Sequence, residues 1–127
     1  MNEDQLVSVV GVVGEEGIAC LTAAFYRQVY EDEILGPMYP EHDREGAEQR
    51  LRDFLIFRLG GSPRYIEQRG HPRLRGRHLP FRVDRAARDR WMELMGRALT
   101  EVAFPAEVER SLREFLEQTS TFLINSD

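Results

Sequence analysis

Lysine is absent from this chain: all seventeen basic residues among its 127 are arginine. Ordinary solvated faces draw on both cations, so this bias reads as genomic composition. Cysteine is nearly absent too. Cys20 stands alone, which rules out an intrachain disulfide and any cysteine-based zinc cluster. Its place on an apolar stripe predicts a small buried hydrophobe in preference to a reactive thiol. No long alternating pattern marks a strand, so nothing leads into a glycine-rich phosphate loop. Ser8, Ser62, Ser111, Ser120 and Ser126 all lack the setting of a nucleophile elbow. The first residues have neither the charged start nor the apolar core of a signal peptide. No run approaches the roughly 20 apolar residues of a membrane span. A cytoplasmic protein without membrane insertion is expected.

What is present is helical periodicity, and it predicts an all-α chain forming one domain over residues 1–127. Ile18, Leu21, Thr22, Phe25, Tyr26 and Val29 form one stripe, ending near Asp32. Ala47, Leu51, Phe54, Leu55 and Leu59 form a second, stopped by Gly60-Gly61, where glycine supplies the positive φ that closes a helix. Ala87, Trp91, Leu94, Met95, Ala98, Leu99 and Val102 form a third, with Asp84 its expected N-cap. Val108, Leu112, Phe115, Leu116, Thr119, Phe122 and Leu123 form a fourth, with Pro105 suited to its first turn. Residues 2–13 predict a shorter, weaker helix. Residues 60–82, with three prolines and four glycines, cannot be one regular helix, though 73–78 has room for a turn or two. An irregular stretch of that length is usually functional or wrapped around a ligand.

Charge is unevenly placed. Residues 69–82 hold five arginines, two histidines and no acid, in a chain of formal net charge −5, so the remainder is ten charges negative. An acidic body repels polyanions, which argues against nucleic-acid partners and favours one small anionic ligand held locally. The three histidines differ in setting. His42 lies in a polar stretch and is expected at the surface. His71, between Gly70 and Pro72, suits a turn in which the ring bonds nearby backbone. His78 follows Leu74 by one helical turn and precedes Leu79-Pro80-Phe81, so both sides are apolar. Periodicity alone leaves His78 readable as an ordinary half-buried histidine. Tyr26, Tyr39 and Trp91 weigh against that, because each puts a polar tip on an apolar stripe or junction and a buried tip needs a partner. Three donors, an apolar Ala47–Leu51 face and one imidazole outline a pocket for a metal with a polar sixth ligand. An imidazole among guanidiniums suits haem, whose iron takes a histidine and whose edges are carboxylates.

The ordered elements Phe25-Tyr26, Tyr39-Pro40, Gly46-Ala47-Glu48, Gly60-Gly61, Gln68 to Arg75, Arg77 to Arg82 and Arg88 to Trp91 resemble the truncated haemoglobins of the second group. That resemblance implies a two-over-two helical sandwich of globin type holding haem b. It implies His78 as the iron ligand, Tyr26, Tyr39 and Trp91 as distal donors, and Ala47 where many globins place a distal histidine. Leu51 and Phe54 would continue the distal wall, Arg50 and Arg77 would meet the propionates, and Leu74, Phe81 and Met95 would pack on the ring. The expected ligands are dioxygen, carbon monoxide, nitric oxide or peroxide, for binding or for slow redox turnover that needs a separate reductase. Monomer and homodimer both remain open. The alternatives are a haem-free helical module binding a small anion through residues 69–82, and a helical protein-interaction domain. Where the group often shows an aromatic pair before its double glycine, this chain has Arg58-Leu59.

Overall fold

Five helices carry the architecture of the computed structural model, which describes residues 9–61, 63–74, 78 and 82–126. They are α1 (Val9–Val29), α2 (Arg44–Arg58), α3 (Arg64–Arg69), α4 (Arg85–Val102) and α5 (Ala106–Phe122). Short 3₁₀ turns at Gly36–Met38 and Glu41–Asp43 join α1 to α2. No strand occurs among the described residues. The α1/α2 pair packs over the α4/α5 pair, with α1 against α4 as the main seam, which is the two-over-two sandwich.

The predicted stripes supply the core. Ile18, Leu21, Phe25 and Val29 of α1 meet Leu94, Met95, Ala98 and Leu99 of α4 and Leu112 of α5, and all are essentially inaccessible. Leu55 and Leu59 fill the α2 side. Asp84 caps α4 as expected, its Oδ1 accepting from the Ala87 N–H at 2.8 Å. Pro105 is the residue from which α5 starts. The double glycine also behaves as predicted: Gly60 takes φ 97° and the Gly61 N–H closes on the Ile56 carbonyl at 2.7 Å.

Four expectations need correction. Cys20 is exposed, not buried. It sits two residues from both Ile18 and Thr22, about 200° around the helix from the side that faces the core. Phe122 is 57% exposed, because α5 ends there and has turned its last stripe position outward. The stretch 60–82 is not wholly irregular, since α3 forms inside it with Tyr65 buried against Phe54 and Phe57. Finally, Val9–Val29 is long and apolar enough to cross a membrane, contrary to the reading of the sequence. Gly14 (φ 74°, ψ 167°) breaks that helix internally, Glu15-Glu16 follow the break, and the apolar stripe is buried against α4. Those are the properties of a core helix. Of the weak helix expected at 2–13, residues 9–13 are helical and lead into the same element, while 2–8 lie outside the described residues.

Candidate functional site

His78 is half-buried, and its imidazole is fixed from its own turn. The Nδ1–H donates to the Leu74 carbonyl at 2.7 Å. A carbonyl can only accept, so Nδ1 is the nitrogen that carries a proton, and in the neutral ring the lone pair is on Nε2. This is the tautomer of a histidine ready to ligate a metal, with the second nitrogen oriented by backbone. A single such imidazole beside Leu74, with no carboxylate or thiolate cluster of metal-binding type among the described residues, fits a haem iron, which brings four nitrogens of its own. His42 is exposed, as predicted. The His71 Nδ1 accepts from the Arg73 N–H at 3.1 Å, the backbone role that its turn suggested. That bond accompanies a left-handed Arg73, φ 46°.

An aromatic cluster between α1, the turn after it and α4 brings together Tyr26, Tyr39 and Trp91. Tyr26 of α1 is buried, with ring centroids 5.0 Å from Phe25 and 5.5 Å edge-to-face from Tyr39. Phe25 in turn lies 4.9 Å from Trp91 of α4. Burial pushes the Tyr26 phenol well above its usual range, and the neighbouring Tyr39 pushes it the same way. Burial also raises Tyr39, against the smaller influence of the nearby Tyr26 and Trp91, which lower it. Both phenols therefore keep their protons at physiological pH and remain donors. Tyr30, which the sequence reading missed, extends the cluster 5.5 Å from Tyr26. Its hydroxyl donates to the Arg44 carbonyl at 2.7 Å and the Arg44 guanidinium covers its ring.

Ala47 and Phe54 are buried on α2, Met95 is fully buried on α4 one turn after Trp91, and Leu51 and Leu74 pack half-buried against the same core. Arg50 is engaged already. Its Nη2 meets Asp43 Oδ2 at 2.6 Å, with both side chains a little under half exposed. That bond holds the Asp43 carboxyl below the usual carboxylate range. The pair lies over Gly46, where an added Cβ would come within 2.9 Å of Arg50 Nη1 and require the two side chains to shift. Arg77 and Phe81 lie outside the described residues. In place of the aromatic pair before the double glycine, Arg58 lays its guanidinium 5.2 Å over the Phe115 ring, and Leu59 is wholly buried. Two open clefts lined by described residues lie elsewhere: one between Glu31–Ile34 and Ala86–Glu93, the other among Glu15, Gln49, Arg52 and Gln68. Both have solvated, charged rims and neither includes His78 or the aromatic donors.

Sequence reasoning also missed Asn125, whose Nδ2–H donates to the His78 carbonyl at 3.1 Å. No local pattern marks it, because the contact joins residues 47 apart in the chain.

The family described as bacterial-like globin matches residues 9–125. The chain is 36% identical over 113 residues to the group 2 truncated hemoglobin YjbI of Bacillus subtilis (strain 168), covering 89% of this chain and 85% of that protein. Among solved structures, a thermostable hemoglobin from the actinobacterium Thermobifida fusca superposes with a TM-score of 0.89 at 44% identity, over 92% of this chain and 96% of that one. The truncated oxygen-avid haemoglobin from Bacillus subtilis gives a TM-score of 0.87 at 34% identity, over 92% and 98% of the two chains. An imidazole poised on Nε2, a two-over-two sandwich and these likenesses agree: the chain belongs to the bacterial-like globins, in the second group of truncated haemoglobins, haem proteins that bind dioxygen and related diatomic ligands.

Proposed function

We propose that His78 is the sole protein ligand to the iron of a haem b, and that Tyr26, Tyr39 and Trp91 hold the bound diatomic on the opposite side. Haem, when bound, would supply an iron centre able to take dioxygen, carbon monoxide or nitric oxide. The chain supplies the rest. Leu74 fixes the imidazole so that Nε2 faces the metal. Ala47, Leu51, Phe54, Leu74, Phe81 and Met95 exclude water from the ring, and Arg50 and Arg77 meet its carboxylates. Ala47 offers no hydrogen, so polar stabilisation falls to the aromatic donors. The donors are packed into one aromatic cluster and keep their hydrogens, so a ligand that takes on negative charge would be stabilised with little reorganisation of the pocket. Each such bond contributes roughly 1.5–3 kcal/mol. A site of this kind releases dioxygen slowly and suits sensing, scavenging or redox detoxification better than delivery. The Bacillus subtilis relative is an oxygen-avid haemoglobin, which accords with that reading. Repeated reduction of peroxide to water, or dioxygenation of nitric oxide to nitrate, would draw electrons from a separate reductase. The proposal places the protein in the cytoplasm, as a monomer or homodimer.

The observation that carries this reading is the Nδ1–H to Leu74 bond, which leaves Nε2 as the ligand atom. His78→Ala should lose haem or hold it weakly, while His42→Ala should keep the parent optical spectrum. An unchanged ferrous spectrum in the His78 variant would sink the assignment.

A further inference from the structure

The tail that follows α5 is bonded to the segment carrying His78 in a way that uses every special property of one side chain. α5 tightens at its end, where the Leu123 and Ile124 N–H groups close on the Ser120 and Thr121 carbonyls. Asn125 follows directly. Its backbone N–H donates to the Val83 carbonyl at 2.8 Å, and the Ser126 N–H donates to the same oxygen at 3.2 Å. Its Oδ1 accepts from the Val83 N–H at 2.9 Å and from the Ser126 hydroxyl at 3.0 Å. Its Nδ2–H donates to the His78 carbonyl at 3.1 Å. One carboxamide thus donates to the backbone of the histidine and accepts from the backbone of Val83. Aspartate would set a negative oxygen against the His78 carbonyl, and alanine would reach neither group.

We propose that Asn125 is a positioning residue for the proximal imidazole, acting through the His78 backbone; this rests on the reading of His78 as the iron ligand. The ring of His78 is held by Leu74 and its carbonyl by Asn125, so both ends of the residue are fixed. The second anchor belongs to the α4/α5 layer: Val83 is buried beside Asp84, which caps α4, and Asn125 lies just past the end of α5. The tilt of the imidazole and its distance from the metal are therefore referred to the two core helices, not to the short turn alone. Loosening the anchor leaves the ligand atom present but lets its approach vary.

The test is the iron–imidazole stretching band of the ferrous protein, read by resonance Raman, with haem-loss rates beside it. Asn125→Ala and Asn125→Asp should each shift or broaden the band and speed haem loss by about 2- to 10-fold, the scale of one net hydrogen bond. Asn125→Asp keeps the oxygen that meets Val83, so it serves if the alanine variant fails to fold. The same substitutions are then made in His78→Gly with imidazole supplied in solution, where ligand and backbone are no longer joined. There the band should no longer depend on residue 125. A band and loss rate unchanged in both single variants would overturn the proposal. So would a shift that persists in the His78→Gly background, since Asn125 would then act on the pocket at large. If His78→Gly without imidazole keeps the parent band, the ligand assignment itself fails, which is a separate result.

Discussion

Trp91 can give a hydrogen but not take one, and it belongs to the aromatic cluster in which Phe25 packs on it and Tyr39 packs edge-to-face on Tyr26. Trp91→Phe and Tyr26→Phe should each raise the oxygen off-rate, by roughly 10- to 100-fold if one charge-assisted bond is lost. The double variant should depart from the product of the two, because donors sharing a ligand couple. The carbon monoxide off-rate should change less throughout, since that ligand carries little charge. Stopped-flow measurement of both ligands checks this, and an oxygen off-rate indifferent to Trp91 and Tyr26 would point to Tyr39 alone. At this scale the sequence was informative where one residue stands out from its stripe. Polar tips at Tyr26, Tyr39 and Trp91 and an apolar setting at His78 are visible in the chain itself. Asn125 and the Asp43 partner of Arg50 were not, because neither stands out among polar neighbours and both gain meaning only from contacts made in space.

Among elements, the tie between the end of α1 and α4 depends on one buried carboxylate. Asp32 accepts from the Ile34 and Leu35 N–H groups at 3.0 and 2.9 Å and from Arg90 at 2.6 Å, one residue before Trp91 on α4. Burial alone would raise its pKa, but the bonds from Leu35, Arg90 and Ile34 outweigh that and hold it below the usual 3.8. A carboxyl depressed on folding stabilises the native state above its unfolded value, and that stability is lost as pH falls through the folded one. Asp32→Asn should therefore melt at a lower temperature than the parent at pH 7, and the gap should narrow as the pH is taken below 3.8. Thermal melts across that range decide it; a constant gap would show that the charge is not the source. The four long helices were legible because each repeats its apolar positions over several turns. α3 was not, since six residues give too few repeats, and its helix is held by Tyr65 packing on Phe54 and Phe57. The outward position of Cys20 shows the limit of reading a stripe by composition, where a residue halfway between two inward ones must face out.

Over the whole molecule the acidic body and the arginine-rich stretch at 69–82 divide the charge, and Arg50 adds a cation on α2 beside Asp43. Replacing Arg50 and Arg77 together by alanine should speed haem loss, each contributing roughly 0.2–1 kcal/mol as a partly exposed pair. Asp43→Asn should act in the opposite sense, because it releases the Arg50 guanidinium for the propionate. Haem-loss rates equal to the parent at every ionic strength would refute both. The sandwich was legible only through family likeness, for stripes tell which faces are buried and not which helices meet. The bond from Asn125 to His78 spans 47 residues, and it bears on the order in which the site is completed. Synthesis runs from the N-terminus, so the histidine emerges well before the amide that steadies it, and α4 and α5 are made in between. A growing chain can display an imidazole long before it can hold one still. Maturation of the proximal side thus belongs to the last stage of folding, when the carboxamide arrives and binds the backbone of a residue made much earlier.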